Sequence, residues 1–173
     1  NIRNNFFKNM LAETGTLSFI DIADTNGTQF MANSYGVEFL DFDNDGDLDL
    51  YMTGADGNVT KLFRNDGGAM FTDVETILGH ELLRDANGNP VRGVDFNGSK
   101  AIDYDNDGDL DLYFHDNLAS TGNHRLFRND GNWKFVDVTA LEGLHLAAGG
   151  VHIGAGGYDS AWGDLDLDGD LDL

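Results

Sequence analysis

The chain has 173 residues, 31 of them acidic and 10 basic, for a formal net charge of −21. Twenty-six of the acids are Asp and five are Glu, which argues against an acidic coiled coil or helical bundle, while 40% hydrophobic residues with 12 Phe are too apolar for a disordered acidic tail. So few cations exclude nucleic acid as a partner and disfavour anionic membrane surfaces, and no apolar run approaches the ~18 residues of a membrane span.

Cysteine is absent, so disulfide frameworks, zinc–thiolate sites and Cys nucleophiles are excluded and the compartment is left open. The chain opens on Asn1-Ile2-Arg3-Asn4-Asn5 without a charged and then apolar leader, so an export signal is expected to have been removed or to lie outside this sequence. With 23 Gly, 17 Asn and a single Pro, Pro90, the composition reads as many short strands joined by tight turns.

In chain order, FFKN from Phe6 and FIDI from Phe19 predict two short strands. A small or apolar stretch, Val37 to Leu40, then leads into DFDNDGDLDLY at Asp41. Leu48 to Met52 alternates with period two and predicts the next strand. LFRNDGGAMFTDV, Leu62 to Val74, predicts two more strands around an Asn-Asp-Gly turn, because Asn-Gly and Asp-Gly pairs are strong hairpin signals. After a long connection, 75–98, the order returns: DYDNDGDLDLYF at Asp103, the alternating Leu110 to Phe114, and LFRNDGNWKFVDV from Leu126 to Val138. A second long connection, 139–157, precedes Ser160 to Trp162 and DLDLDGDLDL at Asp164. The Asp loops begin at 41, 103 and 164, so the repeat is 62 and then 61 residues.

Four antiparallel strands per repeat describe a β-propeller blade, longer than the ~40–45 residues of the commonest propeller repeats. The fold class is therefore all-β, a propeller fragment of four-stranded antiparallel blades. We partition it into the last two strands of a preceding blade (1–34), full blades at 35–96 and 97–157, and the first strands of a further blade (158–173). Closed propellers need ~4–8 blades, so the chain reads as a piece of a longer protein.

The loops offer Asp41, Asp43, Asp45, Asp47 and Asp49; Asp103, Asp105, Asp107, Asp109 and Asp111; and Asp164, Asp166, Asp168, Asp170 and Asp172. Positions one, three and five send carboxylates to one side of a tight loop, Gly at position six permits the turn, position seven can offer its carbonyl, and position nine closes the shell. Many hard oxygen ligands on a flexible loop suit Ca²⁺ better than Mg²⁺, one ion per loop and three in all. These loops hold 15 of the 31 acids, and close carboxylates repel by about 1 kcal/mol per pair even in water, so a cation is expected. An EF-hand would place Glu at position twelve, where Met52 and Phe114 stand, and helices should flank it.

These loops, with FRNDG and FxDV between them, resemble the FG-GAP/VCBS repeats of integrin α-chain-type β-propellers, closest to the bacterial and cartilage-acidic-protein variety. GYDSAWGDLDLDGDLDL at Gly157 to Leu173 reads like a typical copy, and the resemblance covers essentially the whole chain. It implies a seven- or eight-bladed propeller with Ca²⁺ between the first and second strands of a blade, held by side chains at positions one, three, five and nine and the carbonyl at seven. Integrin Phe-Gly and Gly-Ala-Pro signatures are not present, so integrin-type ligand recognition does not carry over.

Outside the loops, the readings are structural. Arg64 and Arg128 are expected to pair, buried, with Asp73 and Asp137 of a neighbouring blade. Phe63, Phe71, Phe127, Phe135 and Trp162 are expected in the core, while Trp133, in a turn, is a candidate for surface contact. His145 and His152 flank a Gly-rich loop but have neither Cys nor an HExxH companion, so a structural role is the default for all five His. Sequons at Asn26, Asn58 and Asn97 barely exceed chance. The functional expectation is a secreted or periplasmic calcium-binding scaffold for adhesion, ligand binding or assembly, its partner a protein, a glycan or a neighbouring subunit of an extracellular assembly. The alternative is the propeller portion of a secreted carbohydrate-active enzyme such as a polysaccharide lyase, although no catalytic constellation is visible.

Overall fold

A computed structural model of the chain describes residues 3–31, 34–54, 61–75, 83–85, 87–88, 96–116, 124–142, 144 and 159–173. Among the described residues the protein is all-β apart from short helical stretches at 11–14 and 74–75. A first hairpin pairs β1 (Phe7–Asn9) with β2 (Phe19–Asp21) antiparallel, and α1 (Leu11–Thr14) sits in its connection. The first full sheet runs in chain order β3 (Ser34–Leu40), β4 (Asp49–Gly54), β5 (Lys61–Asn65) and β6 (Phe71–Asp73). β7 (Leu83–Arg84) follows, and the second sheet repeats the first with β8 (Phe96–Ile102), β9 (Asp111–Asp116), β10 (Arg125–Asn129) and β11 (Phe135–Asp137). Within each set of four the neighbours are antiparallel. These are the four-stranded sheets of propeller blades, as the repeat predicts. One strand was not legible: β7, from the long connection, pairs parallel with β11 and adds a fifth strand at that sheet's outer edge.

The repeating pattern buries both faces of the inner strands of each four-stranded sheet, whereas Tyr35, Val37 and Phe39 on β3 are exposed. On β4, Leu50 and Met52 pack with Phe63, Phe71 and Phe6 on one side. Tyr51, one residue out of phase, joins Leu62 and Val74 on the other, against Leu112, Phe114, Phe127 and Phe135 of the second sheet. Period-two alternation sends consecutive side chains to opposite faces, so a strand reading Leu-Tyr-Met serves two cores. On β9, Leu112 and Phe114 face back to the first sheet, while Tyr113 faces forward to Leu126, Val138 and Trp162. Tyr51 and Phe114 meet edge to face at 6.0 Å, and Phe42 meets Phe135 at 6.1 Å. Each fully buried aromatic is worth about 2–3 kcal/mol relative to exposure.

Two expectations are corrected. Trp133 is not a surface residue: it is 9% exposed and belongs to the core between the sheets. Its φ of 62° turns the side chain under the β10–β11 hairpin, and Ala69, φ 61°, occupies the same turn position against the first core. Arg64 and Arg128 are neither buried nor paired with Asp73 and Asp137. They bind Asp66 and Asp130 at 2.6 and 2.8 Å, in their own hairpins. Strand register explains the exchange. Asp73 lies opposite Phe63, so its same-face diagonal neighbour is Lys61, whereas Arg64 points to the other face. Lys61 accordingly pairs with Asp73 at 2.9 Å, and Arg125 with Asp137 at 2.5 Å.

The first hairpin is docked on β6 through a tight backbone contact. The Phe71 amide donates to the Asn26 carbonyl at 2.7 Å, and the buried Asn26 side chain accepts from the Thr28 amide and hydroxyl. That burial also removes Asn26 from reach as a glycosylation acceptor. Gly27 has φ +89°, and a Cβ there would lie 2.0 Å from the Phe71 carbonyl oxygen. Gly27→Ala is expected to cost at least about 2 kcal/mol in denaturant melts, against about 1 kcal/mol for Gly15→Ala, where only left-handed strain applies. Equal losses at the two positions would contradict this docking.

Candidate metal centres on the three Asp loops

Each Asp loop connects the first strand of a repeat to the second: 41–48 joins β3 to β4, and 103–110 joins β8 to β9. The third spans a bridge between Gly163 and Asp172. All three are built alike. The position-one carboxylate folds the loop around itself: Asp41 accepts from the amides of Asp45 (3.1 Å) and Gly46 (3.0 Å). Asp103 does the same to Asp107 and Gly108, and Asp164 to Asp168 and Gly169. Position five caps the next step, Asp45 accepting from the Asp47 amide at 2.8 Å. Gly46, Gly108 and Gly169 lie at φ 92–100°, the left-handed region where glycine carries no Cβ penalty.

The fold brings carboxylate oxygens together within 4.8 Å of one another in each loop: Asp41, Asp43 and Asp45; Asp103, Asp105 and Asp111; Asp164, Asp166 and Asp172. Positions one and three recur in every group, with five or nine as the third member. The position-seven residues Asp47, Asp109 and Asp170 are outside these groups. A site of clustered carboxylate oxygens, without His or Cys, is the donor chemistry of a hard divalent cation, and these residues fit such an ion.

In the first two loops position nine is the most deeply placed. Asp49 and Asp111 are both 0% exposed. Asp49 accepts from the Phe42 amide at the loop entry (2.9 Å) and from the Asn65 amide on β5 (2.8 Å). Asp111 repeats this with Tyr104 (3.1 Å) and Asn129 (2.8 Å), and Asp172 accepts from Leu165 (2.9 Å). The FRN motif thus has a function in the site that motif spacing alone did not reveal. Its Asn gives a backbone N–H to the carboxylate, and its side chain donates to the position-eight carbonyl, Asn65 to Leu48 at 3.0 Å and Asn129 to Leu110 at 3.2 Å.

Burial dominates the electrostatics. It pushes Asp49 up to about 6 and Asp111 up to about 7, with the charges of Asp43 and Asp45, or Asp105 and Asp107, adding to the shift and the amide bonds opposing it. Asp43 and Asp105 are also raised, first by partial desolvation and then by their Asp neighbours. A charged carboxylate held dry beside other carboxylates is unfavourable until a cation neutralises it. Of the His residues, His80, His145 and His152 lie outside the described residues. His115 is buried in an aromatic group with Tyr113 and His124, and Tyr113 in turn packs against Trp162.

No curated protein matches the chain. A family model described as an FG-GAP-like repeat matches residues 41–101 and 103–173, each match beginning on the position-one carboxylate of an Asp loop. These segments span most of the chain and contain both the loops and the FRN strands that hold them, and so the protein belongs to the FG-GAP-like repeat family.

Proposed function

We propose that this chain is a calcium-stabilised propeller segment that serves outside the cytoplasm as a scaffold for binding, adhesion or assembly, with a protein, a glycan or a neighbouring subunit as partner. The observation that carries the reading is the threefold gathering of carboxylates on loops whose ninth residue is buried in both complete blades, at Asp49 and Asp111. Asp41, Asp43, Asp45 and Asp49 would hold the first ion, Asp103, Asp105, Asp107 and Asp111 the second, and Asp164, Asp166, Asp168 and Asp172 the third. The ion supplies positive charge. The chain supplies the loop frame, in which Asp41, Asp103 and Asp164 accept from the amides of Asp45, Asp107 and Asp168. Loops of this kind suit free Ca²⁺ near ~10⁻⁴–10⁻³ M, which supports an extracellular or periplasmic setting. No helix among the described residues is long and apolar enough to cross a membrane.

Calcium is expected to raise the thermal midpoint of metal-free protein by several degrees at millimolar ion, since an excess of about 1–10 times Kd adds roughly 0.4–1.4 kcal/mol per site, summed over three sites. A melt that calcium leaves unmoved would refute the scaffold reading. Asp111→Ala should remove the calcium response of the second loop and cost about 3 kcal/mol even without metal, because the Tyr104 and Asn129 amides lose their acceptor. Isothermal titration and urea melts of the variant check both effects.

The raised carboxylates fix a pH dependence. In metal-free protein, Asp49 and Asp111 keep their protons up to about pH 6 and 7, whereas the unfolded chain releases them near pH ~4. The native state binds more protons in that window, so stability falls as pH rises from 4.5 to 7.5. Asp66 and Asp130, held low by Thr72 and Arg64 or by Lys134 and Arg128, act below that range. Bound calcium should abolish the decline. Thermal midpoints of metal-free protein that stay flat or rise between pH 4.5 and 7.5 would contradict the buried-carboxylate account.

A further inference from the structure

Position four of the loop lies between two ligand positions and is Asn44, Asn106 and Leu167 in the three copies. All three are left-handed, at φ 59°, 59° and 65°. The two Asn side chains do not bond within their own loops. Asn44 Nδ2 donates to Asp109 Oδ1 at 2.8 Å and to the Gly108 carbonyl at 3.4 Å, across 65 and 64 residues of chain. Asn106 Nδ2 donates to the Gly169 carbonyl at 3.0 Å. Loop one therefore grips positions six and seven of loop two, and loop two grips position six of loop three, in the turn that follows position five. The recurrence at the repeat period shows a built contact, and its neutral amide adds a donor between two strongly acidic loops without adding charge.

We propose that Asn44 and Asn106 are positioning residues that couple neighbouring cation sites, so that occupancy of one loop tightens the next. The proposal rests on the calcium reading above. Asn44 can hold its amide toward loop two only when its own loop is wound as described, with Asp43 and Asp45 on either side turned inward. Without an ion those carboxylates repel, the loop loosens, and the grip on Asp109 and Gly108 is lost. With an ion in loop one, Asn44 is fixed and the second loop's turn is preorganised, which lowers the ordering cost of its own ion. The coupling is reciprocal by linkage. Leu167 has no amide to donate, so the relay runs from the first loop through the second to the third and is not carried further by that residue.

The test is a double-mutant cycle on the chain carrying all three loops, with calcium alone as the ligand and backbone amide NMR as the readout. The amides of Gly46, Gly108 and Gly169, each bonded to the position-one carboxylate of its loop, report the loops separately. Disabling loop one with Asp43→Ala is expected to raise the calcium midpoint at Gly108 about fivefold. Asn44→Gly, which keeps the left-handed turn and removes only the amide, should raise it by a similar factor, and the two together should do no more than either alone. Leu167→Gly should leave the Gly108 midpoint where it is. Strand amides of Leu50 and Leu112 that hold their positions show that the blades stay folded. An Asn44→Gly midpoint equal to wild type, or shifts that multiply, would overturn the coupling while leaving calcium binding intact. A Gly108 amide that does not respond to calcium in the unsubstituted chain would overturn both.

Discussion

The interaction on which this structure depends is the buried carboxylate at the ninth position of each complete blade. Asp49 and Asp111 sit at the start of the second strand and accept one amide from the loop entry and another from the third strand. A single side chain thus ties the Asp loop, its own strand and the FRN strand into one unit. It does so at a cost, since a dry carboxylate beside other carboxylates is unfavourable. The two amides offset part of that cost, and a cation held in the loop would offset more. Loop and blade are for this reason one cooperative structure, which explains why the Asp loop and the FRN motif travel together at a fixed spacing.

Packing follows the same economy. Among the described residues, the apolar side chains of β4 and β9 alternate between the elements before and the elements after. Stability in such an arrangement is a sum of blade and interface contributions between nearest neighbours. The Asn44 and Asn106 contacts add a polar thread along the loop end of the same stack. Carboxylate and interface are thereby linked over distances that a single repeat could not span.

Much of this was readable from residues. The strands followed from period-two runs such as Leu48 to Met52, the hairpins from Asn-Asp-Gly, and the gathered carboxylates from alternate Asp around a Gly. Physical reasons separate these from the misreadings. Arg64 and Arg128 were placed by their recurrence, yet only strand register decides which face a residue takes, and register gave Asp73 to Lys61 and Asp137 to Arg125. Trp133 looked like a turn residue at the surface because its neighbours Asn132 and Lys134 are polar, but positive φ folds it inward. β7 carried no alternation long enough to mark it, being two residues that pair only because β11 leaves an edge open. The Asn at position four had a visible signal, present in two loops and replaced by Leu in the third, but its partner is about 64 residues away and only the fold brings it near.

The most direct test of the central claim is a count of bound calcium per chain, by native mass spectrometry after dialysis against micromolar to millimolar calcium with excess magnesium present. The account predicts that the bound number rises to three and that magnesium does not displace the calcium. A chain that stays metal-free, or that exchanges its calcium for magnesium without preference, would contradict it.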